Sequence, residues 1–212
     1  MKRESPYREV DELRRDYAGS RTRIRARLEE FARVPQAEYF YELVYCLLTP
    51  QSSAVNAAKA VERLREADFL SRDFDPSVVL FRKEHYIRFH NTKAMRLLEA
   101  KRGLPGILAA LGEESSPPEK RSWFVRNVKG LGWKEASHFL RNIGYRDLAI
   151  LDRHILKNLR RHRIIRTLPK SLTPSRYQSI ERRFRRFAEE LAIPMDELDL
   201  LFWSRETGEI LK

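Results

Sequence analysis

The stretch Val128 to Asp152, VKGLGWKEASHFLRNIGYRDLAILD, reads as helix end, hairpin, helix, turn and acid. Gly130 and Gly132 bracket one apolar residue, Leu131. Two glycines this close permit the positive φ of a tight turn and let backbone N–H groups approach a ligand with no side chain in the way. Before the turn, Glu119 to Val128 carries Trp123, Phe124 and Val128 at helical spacing. After it, Trp133, Ala136, Phe139, Leu140 and Ile143 recur at three and four, with Gly144 as a stop. The glycines thus open a second helix, and the amides of a glycine turn entering a helix N-terminus suit a phosphate. A plain connection between two helices satisfies the same pattern.

Lys134 falls in the first turn of that second helix, where the positive end of the helix dipole disfavours a protonated amine. Asp152 follows the short apolar run Leu148 to Leu151, where an N-cap for a helix RHILKNLRRH would stand. Taken alone, the two residues are equally well a solvated lysine and a helix cap.

G-L-G-W-K at Gly130 to Lys134, followed by A-I-L-D at Ala149 to Asp152, resembles the helix-hairpin-helix, Gly/Pro...Asp signature of base-excision DNA glycosylases. With the ending FWSRETGEILK, the stretch is similar more narrowly to the type 2 8-oxoguanine DNA glycosylase/AP lyases. The resemblance implies an all-α fold with helices in two halves around a cleft. It puts Lys134 in the place of the nucleophilic lysine and Asp152 in that of the essential aspartate. Lys129, Gly130, Gly132 and Arg153 fall on the DNA-phosphate side, with Lys129 standing where the usual hairpin has proline. Such an enzyme forms a Schiff base between Lys134 and the deoxyribose and cuts the strand by β-elimination, needing no metal and no cofactor.

The resemblance extends to the lesion pocket. TPQSSA, Thr49 to Ala54, is similar to the loop that enters the gap left by an extruded base, which makes Gln51 and Ser52 candidates there. Ser52 or Ser53 would also serve as a helix N-cap. His138, one turn after Lys134, and Trp203 are candidates to line the pocket, although either also suits a helical core. A terminal lysine, here Lys212, reaches the lesion pocket in the family.

Composition fits a nucleic-acid partner. The 212 residues carry a formal charge of +12. Between Arg153 and Arg186, twelve Lys and Arg face one acid, Glu181, so +11 of the excess follows Asp152 directly. That is the footprint of a polyanion-binding surface, and duplex DNA carrying 8-oxoguanine is the partner the resemblance implies. One cysteine, Cys46, excludes an internal disulfide and a cysteine-built zinc or iron–sulfur site, which separates the chain from the endonuclease III branch. No apolar run approaches the roughly 20 residues of a membrane span and the N-terminus lacks a signal-peptide core, so cytoplasm or nucleoid is expected, for a monomer.

In chain order, residues 8–34 suggest one or two amphipathic helices, Ala37 to Thr49 a buried helix stopped by Pro50, and Ala54 to Leu70 another. Asp73 to Ala100 and Pro105 to Leu111 read as helices, with Pro118 near N1 of the helix entering the hairpin. Pro174 to Ile193 is a long basic helix and Pro194 to Ser204 a last apolar one. No stretch reads as a convincing strand. The discontinuous halves would comprise residues 1–53 with 154–212, and 54–153. A non-catalytic helix-hairpin-helix DNA-binding protein is the alternative, but has no need of a Lys–Asp pair; a glycosylase for another oxidised base is a further one.

Overall fold

In the computed structural model, which describes residues 7–210, the chain is helical and contains no strand among those residues. The helices are α1 (Val10–Ala32), α2 (Tyr39–Leu48), α3 (Ala54–Glu66), α4 (Ser77–Leu80), α5 (His90–Arg102), α6 (Leu104–Gly112), α7 (Pro117–Asn127), α8 (Trp133–Asn142), α9 (Arg153–Arg161), α10 (Pro174–Leu191) and α11 (Met195–Thr207). None is long and apolar enough to cross a membrane.

The chain divides into two compact units, one from Val34 to Ile143 and one combining the residues up to Arg33 with those from Gly144 onward. These boundaries lie earlier than the sequence suggested. The apolar surface of α2 (Phe40, Leu43, Val44, Cys46, Leu47 and Leu48 all buried) packs on α3, α5 and α8, which draws α2 into the hairpin-bearing unit. Gly144 returns the chain to the other unit. Its φ of +95° is accessible chiefly to glycine, and an added Cβ would stand 2.9 Å from the Ala32 Cα, so the backbones of α1 and the segment after α8 touch there.

Residues 10–32 form one helix rather than two, with Leu13, Ile24, Leu28 and Phe31 buried at helical spacing. The segment Asp73 to Ala100 is less helical than its periodicity predicts: α4 has four residues, a 3-10 turn covers Lys83–His85, and α5 begins only at His90. Ser116 caps α7 in a reciprocal box with Glu119, so Pro117 takes N1 and Pro118 stands beside it at N2.

Candidate active site

In the hairpin-bearing unit, α7 and α8 pack through Phe124 and Phe139, whose rings lie 5.0 Å apart edge to face. The turn between them closes with Leu131 N–H donating to Val128 O at 3.1 Å, and Leu131 is buried. Only Gly130 has a positive φ, +98°; Gly132 is extended at −85° and serves as the N-cap of α8. What Gly132 needs is space, because an added Cβ would lie 2.9 Å from Glu135 Oε2. The first amides of α8 have no intrahelical acceptor, the arrangement that suits an anion at a helix N-terminus. Lys129 is exposed and pairs with Glu99 at 3.1 Å. Buried Arg121 places its guanidinium 4.7 Å from the Trp133 ring centroid and donates to Ser137 Oγ at 3.1 Å, fixing the start of α8 from within.

Lys134 is half-buried in the first turn of α8, its Nζ 2.9 Å from Glu135 Oε1. The sequence reading missed Glu135, although an acid at N3 beside a candidate nucleophile was a visible signal. His138, one turn on, meets the Tyr45 ring edge-on at 5.8 Å. The Gln51–Ser52 loop belongs to the same unit. Gln51 is exposed with φ of +56°, and Ser52 Oγ accepts from Arg88 N–H and from Lys93 Nζ, both at 3.1 Å. Ser52 is therefore not the cap of α3; Ser53 is, accepting weakly from Asn56 N–H at 3.4 Å.

In the other unit, Asp152 caps α9 as its position suggests, Oδ1 accepting from the amides of His154 and Ile155 at 2.8 Å each. The extended run before it is held by buried side chains distant in sequence. Tyr177 OH donates to Ala149 O at 2.6 Å and accepts from Leu151 N–H at 3.2 Å, and Glu181 Oε1 accepts from Ala149 N–H at 2.8 Å. Glu181, the lone acid of the basic segment, is thus a structural acceptor. Trp203 is half-buried and stacks on His154 at 5.3 Å and 16°, with Glu206 Oε2 3.3 Å from His154 Nδ1. That His154–Trp203–Glu206 group was not legible before the fold. Arg153 is exposed, its Nε 3.2 Å from His154 Nε2. Lys212 lies outside the described residues. The candidates thus fall into a hairpin set (Gln51, Ser52, Lys129, Gly130, Gly132, Lys134, His138) and a cap set (Asp152, Arg153, Trp203), one on each unit.

An all-helical chain in which a glycine hairpin opens a helix with lysine in its first turn, followed by an aspartate-capped helix, has the fold of the helix-hairpin-helix DNA glycosylase class. Residues 24–193 match the model of the 8-oxoguanine DNA glycosylase family, and the chain belongs to that family. The 8-oxoguanine DNA glycosylase/AP lyase of Fusobacterium nucleatum is 38% identical over 100% of both chains. The crystal structure of the 8-oxoguanine DNA glycosylase of Thermotoga maritima superposes with a TM-score of 0.84 at 32% identity, covering 96% of this chain and 98% of that one. The Methanocaldococcus jannaschii 8-oxoguanine glycosylase/lyase, crystallised with a 15mer DNA containing 8-oxoguanine, gives a TM-score of 0.84 at 32% identity, with coverage of 94% and 99%.

Proposed function

We propose that this chain is a bifunctional base-excision enzyme that removes 8-oxoguanine from double-stranded DNA and cleaves the resulting abasic site. The observation that carries the reading is Lys134 in the first turn of the helix opened by the hairpin, half-buried against Glu135. An amine there serves chemistry rather than helix stability, because the dipole opposes its charge.

The target nucleotide must leave the stack at a cost of a few kcal/mol before any side chain reaches its sugar. The hairpin amides and the cations of α9 and α10 hold the backbone meanwhile, and Gln51 borders the vacated position. Lys134 gives up a proton to the Glu135 carboxylate beside it, and its Nζ lone pair then attacks C1′ while the C1′–N9 bond breaks, the base leaving with its electron pair and taking a proton from the newly formed ammonium. Ring opening gives an iminium on Lys134. Loss of a 2′ proton then expels the 3′ phosphate, and water releases the lysine. Asp152, as a carboxylate, stabilises the positive charge developing on the sugar. His138, one turn after Lys134 on α8, is the side chain of the same helix proposed to face the extruded nucleotide.

Borohydride reduction tests this directly, since only an imine intermediate is trapped. The wild-type protein should crosslink to 8-oxoguanine duplex DNA, and Lys134→Gln should abolish the crosslink. A mutant that still crosslinks displaces Lys134 as nucleophile, and a wild type that binds the duplex without crosslinking points to a binding protein.

A further inference from the structure

Lys93, on α5, is a charged side chain at 2% exposure. Its ammonium donates to Leu48 O at 2.6 Å, Pro50 O at 2.7 Å and Ser52 Oγ at 3.1 Å, so all three of its hydrogens are used. Leu48 ends α2, and its carbonyl is one that the helix cannot satisfy itself. Pro50 and Ser52 flank Gln51, the exposed residue held at φ of +56°. Ser52 Oγ also accepts from Arg88 N–H at 3.1 Å, and Asn56 Nδ2 on α3 donates to Tyr86 O at 3.2 Å, so the segment entering α5 is tied both to this loop and to the helix that follows it.

Its three hydrogen-bond acceptors are all neutral oxygens. Burial and then the neighbouring Arg96 push the Lys93 amine below the usual lysine range, to about 8. A methionine would fill similar volume without desolvating a charge, so the arrangement is costly if packing is all it serves. What the ammonium does that methionine cannot is fix two carbonyls and a hydroxyl around one exposed residue.

We infer that Lys93 is a positioning residue for base extrusion: its ammonium locks the Thr49–Ser53 turn so that Gln51 is presented to the duplex. Lys93 touches neither the sugar nor the base. The inference rests on the glycosylase reading and on Gln51 occupying the gap, and it separates opening the stack from the chemistry that follows.

The test uses full-length Lys93→Met, with helical circular dichroism and thermal melting to confirm folding. Without DNA, amide exchange in peptides spanning Thr49 to Ser53 should speed up while those of α8 stay unchanged. With 8-oxoguanine duplex, single-turnover excision should fall roughly ten- to a hundredfold, as misplacement of an orienting group does, with duplex affinity nearly unchanged. Fluorescence of 2-aminopurine beside the lesion should rise more slowly by the same factor. Cleavage at a preformed abasic site should persist, since no base has to be extruded. Unchanged exchange, or faster exchange with wild-type excision, overturns the inference, as do equal losses in excision and abasic cleavage. Should Lys93→Met not fold, Ser52→Ala, which removes the acceptor shared by Lys93 and Arg88, takes its place with the same expected results. A wild type that neither excises nor crosslinks overturns the enzyme reading instead, and the exchange result alone then decides whether Lys93 orders the turn.

Discussion

At the scale of single residues, Asp152 is the case in which structural and catalytic roles compete. Both cap bonds among the described residues use Oδ1. An asparagine keeps an oxygen in that place, so Asp152→Asn should retain the cap, whereas alanine should cost about 1 kcal/mol of stability. The same asparagine removes the negative charge proposed to stabilise the sugar cation. Asp152→Asn should therefore melt within a few degrees of the wild type and bind duplex normally, yet lose base excision by about a hundredfold or more. Equal excision rates in a burst assay would reduce Asp152 to a helix cap. Lys134 presents the converse, because its sequence position marked it as the candidate nucleophile while Glu135, whose Oε1 lies 2.9 Å from the amine, went unread.

At the scale of elements, the hairpin makes a graded prediction from its two glycines. Gly130 has a φ of +98°, so Gly130→Ala is strained wherever the nearby Arg96 side chain moves. It should cost at least about 1 kcal/mol and weaken duplex binding through the displaced amides. Gly132→Ala meets no backbone strain and only the Glu135 carboxylate, which can swing aside, so its loss of melting temperature should be the smaller of the two. Thermal melts and duplex titrations of both variants check the order, and the reverse order would mean that the turn is not held by Gly130. The elements themselves were largely legible because apolar spacing of three and four marks α7, α8 and α10, and nearly continuous apolar runs mark α2 and α11. Where the chain turns every few residues, from Asp73 to Phe89, scattered apolar residues imitate a helical period, so a four-residue helix and a 3-10 turn read as longer helix. The backbone of Ala149 to Leu151 is held by Tyr177 and Glu181, at least 26 positions away, and Lys93 reaches the Gln51 loop from 41 away. No local pattern announces such bonds, so the motif supplied the candidate residues while the side chains that support them were not readable.

At the scale of the whole molecule, the chain order interleaves two units, and the one that contains both chain ends also carries Asp152. That unit holds a buried titratable group with a sign that can be worked out. His162 is 0% exposed, stacked on Phe202 at 5.4 Å and on Phe187 at 5.9 Å, with Nδ1–H donating to Arg8 O at 2.9 Å. Burial lowers its pKa below the usual histidine value of 6.5; the Arg8 carbonyl and Glu9 oppose that shift, while Arg205 and Arg161 reinforce it. The folded protein therefore binds a proton at His162 less readily than the unfolded chain does. Stability from this group is complete above about pH 6.5 and is lost as the pH falls through the lowered folded value. Acidification from neutral to about pH 5 also protonates part of the carboxylates, so the comparison must be with a variant. His162→Phe keeps an aromatic ring between Phe187 and Phe202 but cannot titrate, and leaves the Arg8 carbonyl without its donor, so it should be less stable than the wild type at pH 7.5. Its further loss between pH 7.5 and pH 5 should be the smaller of the two, and chemical denaturation at both pH values measures it. Parallel losses in wild type and variant would show that His162 accepts its proton without cost to the fold.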